Sequence, residues 1–146
     1  MSNRDHEQLY RRLIDEVFNQ GRLDVADELI SHDSVDHQRG GLGDGPEGVK
    51  RTAKMLRAAF SNFSLTIEDI VVDGDQVWAR QRGGGTNDGS FLAFPPTGKT
   101  VSIEVFDVVR IDNGLIVEHW GLPDQMGMLV GLGHVTLPAR PTHAAV

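Results

Sequence analysis

A histidine and an aspartate near the end of the chain are the side chains best suited to chemistry. They lie in the stretch Ile116–Asp124, whose sequence is Ile-Val-Glu-His-Trp-Gly-Leu-Pro-Asp. Alternate side chains of a strand face the same way, so His119 shares a face with Val117 and Gly121, and Asp124 follows the strand end. Such a pair at the rim of an apolar sheet can transfer protons. A register slip of one residue would turn His119 outward.

Each member of this pair also has a purely structural interpretation. Asp124 precedes a short apolar segment, and an aspartate in that place often caps a helical turn. His119 could be a core histidine bonded to a neighbouring backbone group. We expect instead that Asp124 is a base and that His119 orients it or binds a substrate carbonyl.

A third candidate is Asp107, which lies in the otherwise apolar segment Val105–Arg110. Burying a carboxylate is costly unless it is paired or protonated. The structural alternative is a salt bridge from Asp107 to His37 or Arg80. In the functional interpretation, Asp107 and His119 position and polarise a substrate carbonyl.

Composition limits the classes of function. The chain has 146 residues, a net charge of −7 and no cysteine. The negative charge argues against nucleic acid and anionic membranes as partners, and the lack of cysteine removes disulfides and thiolate chemistry. No apolar run reaches the roughly 20 residues of a membrane span, and the first residues lack the apolar segment of a signal peptide. For these reasons we expect a cytoplasmic protein. The six histidines show no metal-ligand spacing, so we expect no metal site.

The spacing of apolar residues predicts helices first and strands afterwards. Helical periodicity favours a helix over residues 4–19, a short one after Asp24, and a third that begins at Pro46. From Leu65 onward the pattern alternates, and Asp73-Gly74 and Asn113-Gly114 are typical of tight hairpin turns. The segment Gly83–Lys99 is rich in glycine and proline and is predicted to be a loop with a short strand near residues 90–92.

This order predicts an α+β fold with three helices packed on a curved antiparallel sheet. Such a sheet, capped by helices, encloses a cone that suits a small molecule. We expect one domain over residues 1–146, with an ordered core of about 4–137 and loose tails at Met1–Asn3 and Pro138–Val146. His134 and His143 are interpreted as surface residues.

Several motifs, in this order, resemble the SnoaL-like polyketide cyclases of the NTF2-like superfamily. They are Phe18–Asp24, Val35–His37, Gly45–Lys50, Phe94–Lys99 and Glu118–Gly121, and the resemblance extends from about Leu9 to Gly133. It implies ring closure by intramolecular aldol condensation, without metal or cofactor, on an apolar carbonyl-rich small molecule. It also implies an acid/base carboxylate near the end of the last strand, where Asp124 matches. The superfamily further suggests a homodimer through the exposed sheet face.

The resemblance adds three residues that would bind substrate. His37 and Gln38 lie in a segment that lines the cavity mouth in this superfamily, although His37 could equally be a solvent-exposed loop residue. Asn87 stands where relatives often carry a histidine, and its amide can bind substrate but cannot transfer a proton. We therefore predict Asp124, His119 and Asp107 as catalytic, and His37, Gln38 and Asn87 as substrate-binding.

Other functions within the superfamily remain open at this point. In the ketosteroid isomerases an aspartic acid at the position of Asp107 donates to the oxyanion, but their tyrosine would fall near Ile14. The only tyrosine of this chain is Tyr10, about one turn away. A limonene-type epoxide hydrolase needs an Arg-x-Asp pair, whereas the candidate strand carries Arg80 and Arg82. A non-catalytic module that only binds a small molecule is the remaining alternative.

Overall fold

The computed structural model describes residues 1–142, and His143 lies outside the described residues. The first helix, α1 (Asn3–Arg12), continues as a π-helical segment, Leu13–Asn19. A 3-10 turn (Leu23–Val25), α2 (Ala26–Leu29), β1 (Ile30–Asp36) and α3 (Gly45–Ala59) follow. Four strands come next: β2 (Ser64–Asp73), β3 (Gln76–Thr86), β4 (Thr100–Asp112) and β5 (Leu115–Pro123). The short helix α4 (Gln125–Gly131) follows the sheet.

The helix boundaries follow local signals. Ser2 and Asp5 form a reciprocal capping box, so ordered structure begins before the tail predicted for Met1–Asn3 ends. Gly21 has a φ of +71° after the π-helical segment, a conformation that glycine adopts without strain. Pro46 lies in the first turn of α3, as predicted, because its missing N–H has no partner to lose there.

The α+β architecture is confirmed, but the sheet is mixed rather than wholly antiparallel. Its strand order is β1-β5-β4-β3-β2, and β1 runs parallel to β5. The polar segment after α2 therefore becomes an edge strand beside the strand that carries His119. Register shifts in the β1–β5, β2–β3 and β4–β5 pairs disturb the ladders, and such irregularities bend a sheet.

Both predicted hairpins form, and the longer loop differs from the prediction. Asn113 and Gly114 both have positive φ, as the tight turn between β4 and β5 requires. β3 continues to Thr86, beyond the predicted end at Arg82. The predicted short strand at residues 90–92 is only an isolated bridge between Phe91 and Phe94.

The helices pack on one face of the sheet, and within residues 1–142 the other face is left uncovered. One buried cluster joins α1, the π-helical segment and α2 to inward residues of β3, β4 and β5. A second cluster surrounds Phe60, Phe91 and Leu132 near the other end of the sheet. A cavity of about 210 Å³ lies between helices and sheet, as the predicted cone requires. Within residues 1–142, no helix is long and apolar enough to cross a membrane.

Candidate active site

The cavity wall is largely apolar, and its polar side chains are concentrated on β1, β4 and β5. Its charged lining residues among those described are Asp36, Asp107 and His119, and the amide of Gln38 lies near them. The apolar lining comes from the helices and the facing strands and includes Leu13, Ile14, Phe18, Met55, Phe60 and Ile103. A charged group at a mostly apolar wall interacts more strongly than it would in water.

Strand register brings the charged groups together. Val109 lies opposite His119, and Asp107 lies opposite Gly121, so Asp107 and His119 are diagonal neighbours on the inward face. Asp36 is the register partner of His119 on the other side of β5. His119 therefore faces inward, between carboxylates from β1 and β4, the two strands that flank β5. The one-residue slip that would turn His119 outward does not occur in the structure.

His119 is held between two carboxylates. Its Nε2 lies 3.0 Å from Asp107 Oδ1, and its Nδ1 lies 2.9 Å from Asp36 Oδ1. Burial alone would lower the pKa of His119, but the hydrogen bonds to Asp107 and Asp36 outweigh it and raise the pKa to about 10. The imidazole is therefore a cation at neutral pH and donates through both nitrogens.

Asp36 is the partner that sequence reasoning missed. Burial would raise its pKa, but the hydrogen bonds from His119 and from the backbone N–H of Gln38 outweigh this effect and lower it. Ser34, Asp36 and Gln38 alternate inward while Val35 and His37 turn outward, as their exposure shows. This period of two was the signal that would have placed Asp36 in the cavity.

Asp107 is anchored from the opposite side. The hydroxyl of Tyr10 donates to Asp107 Oδ2 at 2.9 Å, and Gln81 Nε2 donates to the same oxygen at 2.9 Å. Asp107 pairs with neither of the partners considered for a salt bridge, because His37 pairs with Glu118 and Arg80 pairs with Glu68. Its ion-pair partner is His119. Tyr10 and Gln81 were not among the predicted site residues.

The predicted meeting of His119 and Asp124 is wrong. Asp124 is exposed, lies outside the cavity lining, and accepts a hydrogen bond from the backbone N–H of Gly127 at 2.9 Å as the N-cap of α4. The inward positions of β5 after His119 are Gly121, which has no side chain, and Pro123, whose side chain carries no polar group. Here the cavity's carboxylates come instead from β1 and β4.

Of the three predicted binding residues, only Gln38 lines the cavity. His37 stacks on Trp120 with ring centres 4.8 Å apart and bonds to Glu118, on the outer side of the sheet. Asn87 is 0% exposed, and its amide bonds to the backbone of Ala59 and Gly89 and to Thr97. Both placements contradict the expected contact with substrate, because no free polar atom of either side chain faces the cavity.

No metal site is evident in the part of the chain that the structure describes. Residues 1–142 contain no group of three or more histidine, aspartate or glutamate side chains arranged to hold an ion. Asp36 and Asp107 each already accept a hydrogen bond from His119 through one oxygen.

The group formed by Asp36, His119 and Asp107 can accept a proton on a carboxylate and present a positive charge beside it.

Comparison with known proteins gives consistent relatives. The SnoaL-like polyketide cyclase family model matches residues 8–132. The aklanonic acid methyl ester cyclase DauD of Streptomyces sp. (strain C5) is 30% identical over 132 residues, covering 86% of this chain and 80% of that protein. The nogalonic acid methyl ester cyclase of Streptomyces nogalater is 30% identical over 124 residues, covering 80% and 90%. Among solved structures, TsrD from Streptomyces laurentii superposes with a TM-score of 0.84 at 25% identity, covering 92% of this chain and 99% of that one.

Proposed function

This chain belongs to the SnoaL-like polyketide cyclase family and is an enzyme of the cyclase type, and we propose that it closes a ring in an esterified, carbonyl-rich polyketide by moving a proton from carbon. The observation that carries the proposal is the Asp36–His119–Asp107 unit on the wall of a largely apolar cavity. The reaction needs no group beyond an acid, a base and a place for negative charge.

The proposed reaction begins at Asp107. Its Oδ1 takes the proton from a carbon activated by a neighbouring carbonyl, so a C–H bond breaks and an O–H bond forms. The resulting enolate oxygen is stabilised by the cationic His119 and by the side-chain amide of Gln38. The enolate carbon then attacks a ketone carbon of the same molecule, and the new alkoxide recovers the proton. The product is an isomer of the substrate with one new C–C bond.

Charge in the cavity favours an ester over a free acid. With His119 protonated and both aspartates ionised, the described lining carries a net charge of −1, and it contains no lysine or arginine. A carboxylate on the substrate would meet this negative charge in a poorly hydrated site, whereas a methyl ester would not. The two curated relatives above are named for methyl ester substrates, which supports the same class here.

The outer face of the sheet supports a homodimer. Its large apolar side chains are strongly exposed: Val71 58%, Trp78 53%, Phe106 50%, Trp120 37% and Leu122 74%. Arg80 and Arg82 beside them bond to Glu68, and Glu104 lies within 4 Å of both arginines. A face that carries both signs of charge around apolar residues can pair with a copy of itself about a twofold axis.

The test is deuterium exchange at carbon in D₂O with nogalonic and aklanonic acid methyl esters. Asp107→Asn and Asp124→Asn are a matched pair, because each replaces one carboxylate with an amide of the same shape, one in the cavity wall and one at the N-cap of α4. We expect wild type and Asp124→Asn to exchange and to form product, and Asp107→Asn to do neither. Exchange that survives in Asp107→Asn and disappears in Asp124→Asn would return the base to Asp124. Binding without exchange by the wild-type protein would favour the non-catalytic module.

A further inference from the structure

Tyr10 is a buried polar side chain that the proposed reaction does not use. It is 0% exposed on α1 and belongs to a cluster that is otherwise apolar. A phenylalanine would fill nearly the same volume, so packing alone does not explain the hydroxyl. A buried hydroxyl costs free energy unless it is hydrogen-bonded, and this one bonds to two partners.

The two partners form a closed triangle with Tyr10. Its hydroxyl donates to Asp107 Oδ2 at 2.9 Å and accepts from Gln81 Nε2 at 2.8 Å. Gln81, also 0% exposed, donates to Asp107 Oδ2 at 2.9 Å as well. Both donors therefore act on one oxygen of the carboxylate.

The other oxygen of Asp107 has a different environment. Oδ1 lies 3.0 Å from His119 Nε2 and close to Gly121, where an added Cβ would lie 3.0 Å from it. Asp107 lines the cavity, whereas Tyr10 and Gln81 do not. The carboxylate is thus held with one oxygen in the core and one towards the cavity.

We propose that Tyr10 and Gln81 are positioning residues that fix the orientation of the Asp107 carboxylate and make Oδ1 its proton-accepting oxygen. The inference rests on the proposed function for its kinetic consequence. Two donors to one oxygen stop the carboxylate rotating, so a substrate always meets the same atom. Burial and the charge of Asp107 also raise the pKa of Tyr10 well above its usual value, so the phenol keeps its proton and remains a donor.

The test is Tyr10→Phe, which removes the hydroxyl and keeps the ring. With an ester substrate, we expect kcat to fall about tenfold, because the carboxylate is no longer held in one orientation, and KM to stay unchanged. Val17→Ala is the matched control, because Val17 is fully buried next to α1 but lies outside both the cavity lining and the triangle. The Val17→Ala protein should lose stability while kcat and KM per folded molecule stay unchanged.

A second measurement needs no substrate. The Nε2–H proton of His119 should give a protected NMR signal in the wild type, and in Tyr10→Phe it should shift and exchange faster with water because Asp107 is freer to rotate. Gln81→Met removes the second donor, should act in the same direction, and replaces Tyr10→Phe if that variant does not fold. An unchanged His119 signal in a folded variant would overturn the inference. A shifted signal with no turnover of any ester would instead overturn the proposed function and leave the positioning role standing.

Discussion

Asp36 and His119 face each other where β1 runs parallel to β5, and Asp36 Oδ1 lies 2.9 Å from His119 Nδ1. This contact links the edge strand to the strand that carries the cationic His119. With Asp107 on the other ring nitrogen, it explains why His119 is expected to remain charged at neutral pH. The polar edge strand therefore has an electrostatic role as well as a structural one.

The first prediction concerns the charge of His119 itself. Asp36→Asn removes one of the two carboxylates that hold the proton on the ring, so the pKa of His119 should fall from about 10. Imidazole chemical shifts followed by NMR across a pH titration measure this directly. Asp33→Asn is the control, because Asp33 lies exposed on the same strand and has no contact with the ring. Equal titration of His119 in both variants would contradict the carboxylate–imidazolium arrangement.

The second prediction concerns stability as a function of pH. The pKa of His119 is raised from 6.5 to about 10 on folding, so its stabilisation is fully present below pH 6.5 and is lost as the pH rises towards 10. Asp36 has a lowered pKa, so its contribution is present above its usual value of 3.8 and is lost as the pH falls below it. Urea unfolding should show a decline of up to a few kcal/mol between pH 6.5 and 10 in the wild type. The decline in the free energy of unfolding should be much smaller in His119→Gln. A decline of equal size in that variant would mean that other titratable groups cause it.

Much of the fold could be predicted from the sequence, because local signals determine most of its elements. Helical periodicity, Pro46 and the Asn113-Gly114 turn each act within a few residues, and the structure follows them. The parallel pairing of β1 with β5 could not be predicted in this way. It joins segments more than 80 residues apart, and a short polar strand carries no signal for its partner.

The site was only partly predictable for the same reason. Alternation in β5 placed His119 on the inward face, but its partners come from β1 and β4, and Asp107 is anchored by Tyr10 from α1. Nearness in sequence favoured Asp124 instead. Pro123 ends β5, and the chain then turns away into α4, so the carboxylate five residues after His119 caps a helix and does not enter the cavity.

A third prediction follows from that cap. Asp124→Ala removes the acceptor for the N–H of Gly127 and should lower the free energy of unfolding by about 1 kcal/mol. Asp124→Asn keeps an oxygen in place and should lose less. Turnover per folded molecule should be unchanged in both variants, as measured by kcat alongside chemical denaturation. A large loss of kcat in a folded Asp124→Asn protein would mean that this carboxylate acts on the substrate.

The fourth prediction tests the exposed sheet face. If two copies pair through this face, analytical ultracentrifugation of the wild-type protein should give twice the 16.0 kDa mass of one chain. Trp78→Lys with Phe106→Lys places two like charges in the contact and should give a monomer. Leu137→Lys is the control, because Leu137 is 55% exposed but lies outside the sheet. A wild-type monomer at all concentrations would contradict the homodimer.

The fifth prediction concerns Gly121, an inward position of β5 that has no side chain. A Cβ on Gly121 would collide with Gln38 Oε1 and lie 2.9 Å from His119 Cε1 and 3.0 Å from Asp107 Oδ1. The backbone of Gly121 is not among those with positive φ, so the substitution Gly121→Ala strains the site and not the strand. We expect kcat/KM to fall by up to about 100-fold, because displacement of about 1 Å at a reacting group has that effect.

A second substitution, at Gln38, distinguishes crowding around Gly121 from a general loss of structure. Gln38→Ala removes the colliding amide, so in that background Gly121→Ala should cost far less than it does alone, and the two effects should not be additive. Gln38→Ala by itself should raise KM, since the amide is proposed to bind a substrate oxygen. Thermal unfolding of all three variants tells whether the sheet is intact. Simple additivity in folded variants would mean that Gln38 does not occupy the space beside Gly121, and the proposed placement of the enolate oxygen between Gln38 and His119 would then fail.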